Sequence, residues 1–528
     1  MGCSALDRAA CFYVMKRFLS LFYILLFFLF FFLSQNGYAP ALSFIMFVPL
    51  LYSLYVDEKR GLAGSILRCA TVFFLGAVYV VFNYYWLSIF YSFALLFAAV
   101  VFSLEHFFFP YAILVIFSRK FKSRIMFVVF FAALWTVMEF AFQRIPFPFP
   151  YGSIALGFFR TNVLLQILDL FGQSGITFLL AFVNGLLFLA IDSFRKNRLA
   201  GLRYLSVALS VLILWLGYGL ISPLLLKSDK DIYVDLAQSS ISGKDKADMD
   251  LVEYETYIGK FFSMYSNESG IIIFPETFFY ADISDSDEPL RQFLERASKK
   301  QNVTVAGGFI QNTPGGIYPK TNSFFVLEPD GSFSVSQKKV LAPFGEYYPF
   351  GSLFPGLRET LENRRGAFFF NRGEGPEPLS YKADGETFSL RAMICYEAAF
   401  PSLLRGAGPS NTDYLLSISS DYWTHSRRAM LQNAMYAKLR AIEFRLPVVR
   451  VSNGGLTMLI NAAGKTWYPL PAFAEGNGHI WIVKHRHSLY RNRTPYSFWG
   501  DIIVYVCFAF LTYSVIVLLT FKRKKVRQ

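Results

Sequence analysis

Eight apolar stretches, each 16 to 25 residues long, constrain this chain more than anything else in it: 18–33, 39–56, 71–89, 93–117, 125–142, 176–191, 205–221 and 502–521. Crossing a hydrocarbon layer takes about 20 apolar residues, somewhat fewer where a segment is buried among others. The chain is therefore expected to thread a bilayer eight times. Composition agrees, because a chain with 54% hydrophobic and 19% aromatic residues is too apolar to be wholly soluble. No small-x-small cleavage site follows the first stretch and more spans come after it, so it reads as retained rather than as a signal peptide. Met1-Gly2-Cys3 opens like a myristoylation signal, but Leu6 stands where Ser or Thr is required.

Basic residues set the orientation. Arg8, Lys16 and Arg17 precede the first span, and Lys59 and Arg60 follow the second. Arg119, Lys120, Lys122 and Arg124 separate spans four and five, and Arg195, Lys196, Arg198 and Arg203 separate six and seven. Lys522, Arg523, Lys524, Lys525 and Arg527 end the chain, whereas the alternate loops hold only Arg144 and Arg160. Every cluster falls on one side, which the positive-inside rule makes cytoplasmic. Both termini are then inside, and the polar region after span seven is outside. Because the formal charge of +14 sits beside apolar segments, it points to a membrane and not to nucleic acid. Glu139, within span five, is costly in lipid and should face the interior of the bundle. The Pro- and Gly-rich stretch from Phe147 to Gly172 reads either as a re-entrant or interfacial element lining a lipid entrance, or as an ordinary aromatic belt.

The polar region changes pattern. Short β-rich runs at 232–238, 270–274, 303–307, 323–327, 390–394, 414–418, 448–451, 456–460 and 480–483 alternate with helical patterns, notably 289–300 and 427–444. That alternation predicts an α/β domain with its own core. The expected division is 1–228 for a seven-helix membrane domain, 229–491 for the α/β domain, and 492–528 for the eighth helix and basic tail. Gly307-Gly308 is too short for a phosphate-cradling loop. The five histidines show no zinc-type spacing with cysteine, and no metal is expected.

Cys395 is the only cysteine of this polar region. It ends the apolar run Ala392-Met393-Ile394 and is followed by Tyr396 and Glu397, so it is either a small buried hydrophobe or a nucleophile. Two other stretches bear on the choice. Ile271-Ile272-Ile273-Phe274-Pro275-Glu276 puts a carboxylate at the mouth of a strand. Lys338-Lys339-Val340-Leu341-Ala342-Pro343-Phe344-Gly345-Glu346 flanks a Pro-Phe-Gly turn with a lysine and a second acid. Taken singly, each reads as a solvated strand end or a surface pair.

Taken in this order, the three stretches resemble the Glu-Lys-Cys triad of the nitrilase superfamily. With the membrane spans they resemble its membrane branch, the apolipoprotein N-acyltransferases. Further matches are Ala237-Gln238 ending the first strand, Arg440-Ala441-Ile442-Glu443-Phe444, and Arg450-Val451-Ser452-Asn453-Gly454-Gly455. Four positions depart from the pattern: Phe274 and Tyr151 stand where Trp is common, and Ser420-Asp421-Tyr422-Trp423-Thr424, with Ser420 and Thr424 differing, replaces Asn-Asp-x-Trp-Phe. The resemblance implies an extracytoplasmic α-β-β-α sandwich joined to the membrane helices, in a bacterial inner membrane. It assigns catalysis to Glu276, Lys338 and Cys395, with Lys338 preferred over Lys339 by spacing from the proline.

Chemically, Glu276 would take the proton of the Cys395 thiol, since only the thiolate attacks well. Lys338 would face the developing oxyanion, a placement worth about 3–4 kcal/mol. Glu346 would position Lys338 or Glu276, and Tyr396 and Glu397 would support the pocket, unless both acids are only structural. The implied partners are a phospholipid acyl donor and a diacylglyceryl apolipoprotein acceptor, with no cofactor and a monomeric enzyme. Phe350, Phe354 and Trp423 are candidates for contacting substrate or closing a lid over it, as is the run Phe368-Phe369-Phe370 unless it is a buried strand. Two other classes stay open: a membrane-tethered amidase acting on small carbon–nitrogen substrates, and a transporter or scaffold with a non-catalytic binding module.

Overall fold

The computed structural model describes residues 5–56, 61–89, 92–144, 148–265, 270–351, 353–356, 358–360, 369–408, 410–468, 470, 479–490 and 493–526. The chain divides into two compact units, Met1–Ser222 with Asp501–Gln528, and Pro223–Gly500.

The first unit is helical. Among the described residues, seven helices are long and apolar enough to cross a bilayer: Met15–Gln35, Leu62–Ile89, Phe93–Phe117, Arg124–Phe142, Leu168–Phe194, Arg198–Leu225 and Ile502–Thr520. The expected second crossing is a shorter apolar helical stretch, Pro40–Tyr55. It opens as a 3-10 turn, Pro40–Phe44, and continues as an α-helix only over Phe47–Tyr55. Proline at the first position of the 3-10 turn fixes its φ where no helical N–H is lost. Phe47, Leu50, Leu51 and Leu54 of this short helix are buried among its neighbours.

Glu139 is buried, as its cost in lipid requires, and accepts hydrogen bonds from Ser153 Oγ (3.1 Å) and Thr177 Oγ1 (3.0 Å). The stretch before the Leu168–Phe194 helix folds into 3-10 turns, Pro150–Gly152 and Ile154–Phe158. The second turn is buried throughout; Phe147 lies outside the described residues. Gly172 takes φ 61° inside the Leu168–Phe194 helix and kinks it, a conformation open to glycine at little cost.

Among the described residues, the second unit holds twelve strands: β1 (Ser228–Ser240), β2 (Ile271–Ile273), β3 (Thr304–Asn312), β4 (Lys320–Leu327), β5 (Phe333–Gln337), β6 (Pro378–Ala383), β7 (Glu386–Ile394), β8 (Tyr414–Ser420), β9 (Val448–Asn453), β10 (Met458–Ile460), β11 (Thr466–Trp467) and β12 (His479–Tyr490). They form two six-stranded sheets, ordered β12-β1-β2-β3-β4-β5 and β6-β7-β8-β9-β10-β11. Taken in those orders, both sheets pair antiparallel, parallel, parallel, antiparallel, antiparallel. The sheets thus repeat one pattern, in which β7 corresponds to β1 and β8 to β2.

Strand periodicity builds the layers. Ile271 and Ile273 of β2 face a core shared with Leu390, Ile394, Leu416, Ile418 and Val451 of the other sheet. Ile272 points the opposite way, into a cluster with the outer helices. On that side lie α1 (Leu251–Ser263) and α2 (Pro289–Gln301). A capping box starts α1: Asp250 accepts from the Glu253 amide (2.8 Å), and Glu253 accepts from the Asp250 amide (3.2 Å). The buried residues of α1, Tyr254, Tyr257, Ile258, Phe261 and Phe262, follow the spacing of one helical face. Asn302, at φ 49°, ends α2 in the left-handed conformation. Helix α3 (Arg427–Phe444) covers the second sheet, which gives the α-β-β-α order.

Candidate active site

In sheets with parallel strands, ligand sites form beyond the carboxyl ends of those strands. Here β2 runs out through Phe274 and Pro275 into Glu276, β7 into Cys395, and β8 into Ser420 and Asp421. Hydrogen bonds join these ends across the two sheets. The Ser420 amide donates to Glu276 Oε2 (2.8 Å). Asn453, at the end of β9, accepts from Ser239 Oγ (2.9 Å) and the Ile241 amide (3.0 Å) and donates to Ser420 Oγ (3.2 Å). The sheets are thereby held in register at one edge.

Lys338 follows β5 and is fully buried. Its ammonium lies 3.1 Å from Glu276 Oε1 and 2.7 Å from Glu346 Oε1. Asn322 Nδ2 joins both acids, donating to Glu276 Oε1 (2.9 Å) and Glu346 Oε1 (3.1 Å). Burial alone would pull the ammonium down, but the carboxylates of Glu276 and Glu346 outweigh it and hold Lys338 well above the ordinary lysine value. Lys338 is therefore a fixed positive charge at neutral pH. The second oxygen of Glu346 accepts the Ala342 amide (2.8 Å), which ties the Pro-Phe-Gly turn to the lysine it flanks.

Cys395 sits at the first turn after β7 with φ 53°, a strained conformation for a residue with a Cβ. It is part-buried and packs against the inter-sheet core. Burial first, and then the Glu276 carboxylate, push its thiol well above the ordinary cysteine value, against the opposing pull of Lys338. The resting sulfur is a thiol, so attack on a carbonyl requires a base that removes its proton. Glu276 and Lys338, opposite charges in the field of that sulfur, are the two groups the sequence predicted to meet there.

The supporting residues separate by role. Glu397 is buried, and its Oε1 accepts the amides of Lys339 (2.7 Å) and Val340 (3.2 Å) while Oε2 accepts that of Ile394 (3.0 Å). It therefore pins the segment after Lys338 to the turn that carries Cys395. Burial raises its carboxyl to about 7, against the lowering effect of the Ile394 amide. Tyr396 is buried edge-on to Phe400, with ring centroids 5.2 Å apart. Phe350 packs against Tyr348 at 5.9 Å, whereas Phe354 is 56% and Trp423 39% exposed. Of the run 368–370, Phe368 lies outside the described residues. Phe369 and Phe370 are buried and lie in no strand, so neither presents an apolar face.

Three polar residues absent from the sequence-based set belong to this network. Asn322 bridges the two acids. Asn433 on α3 donates to Cys395 Sγ at 3.7 Å. Lys246, buried behind Glu276, donates to the Thr277 carbonyl (2.7 Å) beneath the Tyr280 ring, and burial lowers its ammonium to about 7. The signal for Lys246 was a lysine in the polar run Ser242-Gly243-Lys244-Asp245-Lys246, which reads as surface until the fold closes over it.

Two family models match this chain: the apolipoprotein N-acyltransferase N-terminal domain over residues 24–186, and carbon-nitrogen hydrolase over residues 226–487. The chain belongs to the apolipoprotein N-acyltransferase family. The first match falls on the helical unit and the second on the two-sheet unit. Similar proteins include the apolipoprotein N-acyltransferase of Geobacter metallireducens, 27% identical over 430 residues, which are 79% of each chain. That of Haemophilus influenzae is 28% identical over 388 residues, 71% of this chain and 72% of its own. That of Borreliella burgdorferi is 26% identical over 468 residues, 84% and 85% of the two chains.

Proposed function

We propose that this protein transfers an acyl chain from a membrane phospholipid, through a thioester on Cys395, to the N-terminal amine of the diacylglyceryl-cysteine of an apolipoprotein. The observation that carries the reading is the meeting of Glu276, Lys338 and Cys395 at the carboxyl edge of the two sheets, with the lysine charge fixed and the thiol protonated at rest.

Glu276 takes the thiol proton as Sγ attacks the ester carbonyl. Lys338 stabilises the oxyanion. The C–O bond breaks, the proton passes from Glu276 to the leaving alkoxide, and a lysophospholipid departs. The acceptor amine then attacks the thioester, Glu276 takes its proton, and the C–S bond breaks to return a protonated Cys395 and an amide. The thioester keeps the acyl group reactive toward the amine, so the cycle needs no further energy source.

Phe350, Phe354 and Trp423 would contact the lipid or exclude water from the thioester. The protein works as a monomer in a bacterial inner membrane, with residues 229–491 on the periplasmic side and both termini cytoplasmic, an orientation supported by the basic loops 119–124 and 195–203. The test is a phospholipid with a labelled acyl chain. Label should accumulate on wild-type protein in the absence of acceptor, stay off Cys395→Ala, and chase into lipoprotein on addition of acceptor. A wild-type protein that takes up no label would overturn the thioester route, and label that passes to water but never to acceptor would make it a hydrolase.

A further inference from the structure

Asn433 on α3 also approaches the nucleophile. It lies two turns into α3, is 7% exposed, and its Nδ2 lies 3.7 Å from Cys395 Sγ, 3.0 Å from Ser419 Oγ and 2.9 Å from Asp421 Oδ1. Its partners fix which end of the amide faces the sulfur. Asp421 can only accept, and Ser419 Oγ already donates its own hydrogen to Asp421 Oδ1 at 2.7 Å, so the atom facing all three must be the NH2 group, whose two hydrogens are shared among the three acceptors, the sulfur being the most distant. Asp421 is held in turn: Arg450 Nη2 (2.7 Å) and Ser452 Oγ (2.9 Å) bind its other oxygen, and Arg450 Nη1 binds Ser417 Oγ (3.0 Å). Asp421, Arg450 and Ser452 are all buried. The Asp421 charge acts on Cys395 and disfavours the thiolate, and Asn433 stands between the two.

We infer that Asn433 is a catalytic residue that donates an N–H to the Cys395 thiolate, its amide aimed by the Asp421–Arg450 pair. Sulfur carries negative charge twice in each cycle, once when Glu276 removes its proton and again when the C–S bond of the acyl-enzyme breaks and the electron pair returns to Sγ. At both moments Lys338 is drawn toward the carbonyl oxygen, and a neutral donor within reach of Sγ holds the sulfur charge. An aspartate at the same place would face Asp421 and the thiolate with like charge.

The inference rests on Cys395 being the nucleophile, but its test does not require acyl transfer. Full-length protein in detergent is alkylated with iodoacetamide across a pH series, and modification of the Cys395 peptide is followed by mass spectrometry. Asn433→Ala should move the midpoint of the rate profile up by about one pH unit, and Asn433→Asp, close in shape, should move it further. Asn433→Gln, with the same amide on a longer stem, should fall between wild type and Asn433→Ala. Unchanged midpoints in both Asn433→Ala and Asn433→Asp would overturn the inference. If Asn433→Ala does not fold, Asn433→Asp alone decides. Should the midpoints shift while wild-type protein takes up no acyl label, the acyl-transfer reading falls and the role of Asn433 stands; the reverse result removes only Asn433.

Discussion

Beside the side-chain network around Cys395, one residue acts through backbone. Glu397 lies outside the proposed triad, yet its two oxygens hold three amides on both sides of the site, those of Lys339, Val340 and Ile394. A buried carboxylate earns its place here by positioning, and its titration should be visible in stability. Its folded value is about 7 against an ordinary 4.5, so the folded protein binds the proton more tightly than the unfolded chain does. A raised group of this kind contributes stability that is complete below the unfolded value and is lost as pH rises through the folded one. Between about pH 4.5 and 7 wild-type protein should therefore lose thermal stability relative to Glu397→Gln, which cannot titrate. Melting both proteins over that range checks it, and parallel curves would refute it. Asn322 and Asn433 escaped sequence reasoning for a related reason. An amide donates to whatever the fold brings near it, and neither the strand pattern around Asn322 nor the helical pattern around Asn433 says that its neighbours will be two carboxylates or a sulfur.

At the scale of elements, the central strands were legible, and of the edge strands only β12 was, over 480–483. The runs at 232–238, 270–274, 414–418 and 448–451 are dense in β-branched and large apolar residues because β1, β2, β8 and β9 are covered on both faces. The three strands missed, β5, β6 and β11, all border a sheet. Residues 378–383 of β6 alternate between exposed and buried, which leaves too few apolar residues to stand out. The helices α2 and α3 were read almost to their ends; α2 carries a clear polar and apolar period, whereas α3 is buried on every face over its second half. Gly307-Gly308, which spelled nothing in sequence, has a packing role. A Cβ on Gly308 would lie 2.6 Å from the Thr277 amide nitrogen and 2.7 Å from Glu276 Cα, so β3 passes against the backbone that carries the proposed base. Gly308→Ala must push that turn aside. Overpacking of this kind costs about 1–3 kcal/mol, and displacing a catalytic group by about 1 Å costs on the order of 100-fold in rate. Acyl transfer should thus fall far more than the melting temperature does. A variant that loses stability with its rate intact would show that Glu276 does not need this backing.

For the whole molecule, one short element decides the threading. The helices Phe93–Phe117, Arg124–Phe142, Leu168–Phe194 and Arg198–Leu225 place the basic loops 119–124 and 195–203 on the same side, whatever happens earlier in the chain. Counting back, Leu62–Ile89 starts on that side too, next to Lys59 and Arg60. The side of the N-terminus then depends on Pro40–Tyr55 alone. If this stretch turns back, Arg8, Lys16 and Arg17 lie outside, against the charge rule; if it crosses, they join the other clusters. Its length falls short of the usual requirement of about 20 residues. Yet Phe47, Leu50, Leu51 and Leu54 are buried by neighbouring helices, and a segment shielded by protein need not match the hydrocarbon thickness by itself. The charges therefore argue for a crossing. An epitope tag at the N-terminus should resist protease in intact spheroplasts and be digested in inverted membrane vesicles. Digestion in spheroplasts with protection in inverted vesicles would mean that Pro40–Tyr55 enters and leaves on one face, and that the three N-terminal basic residues are exceptions to the rule the other loops obey.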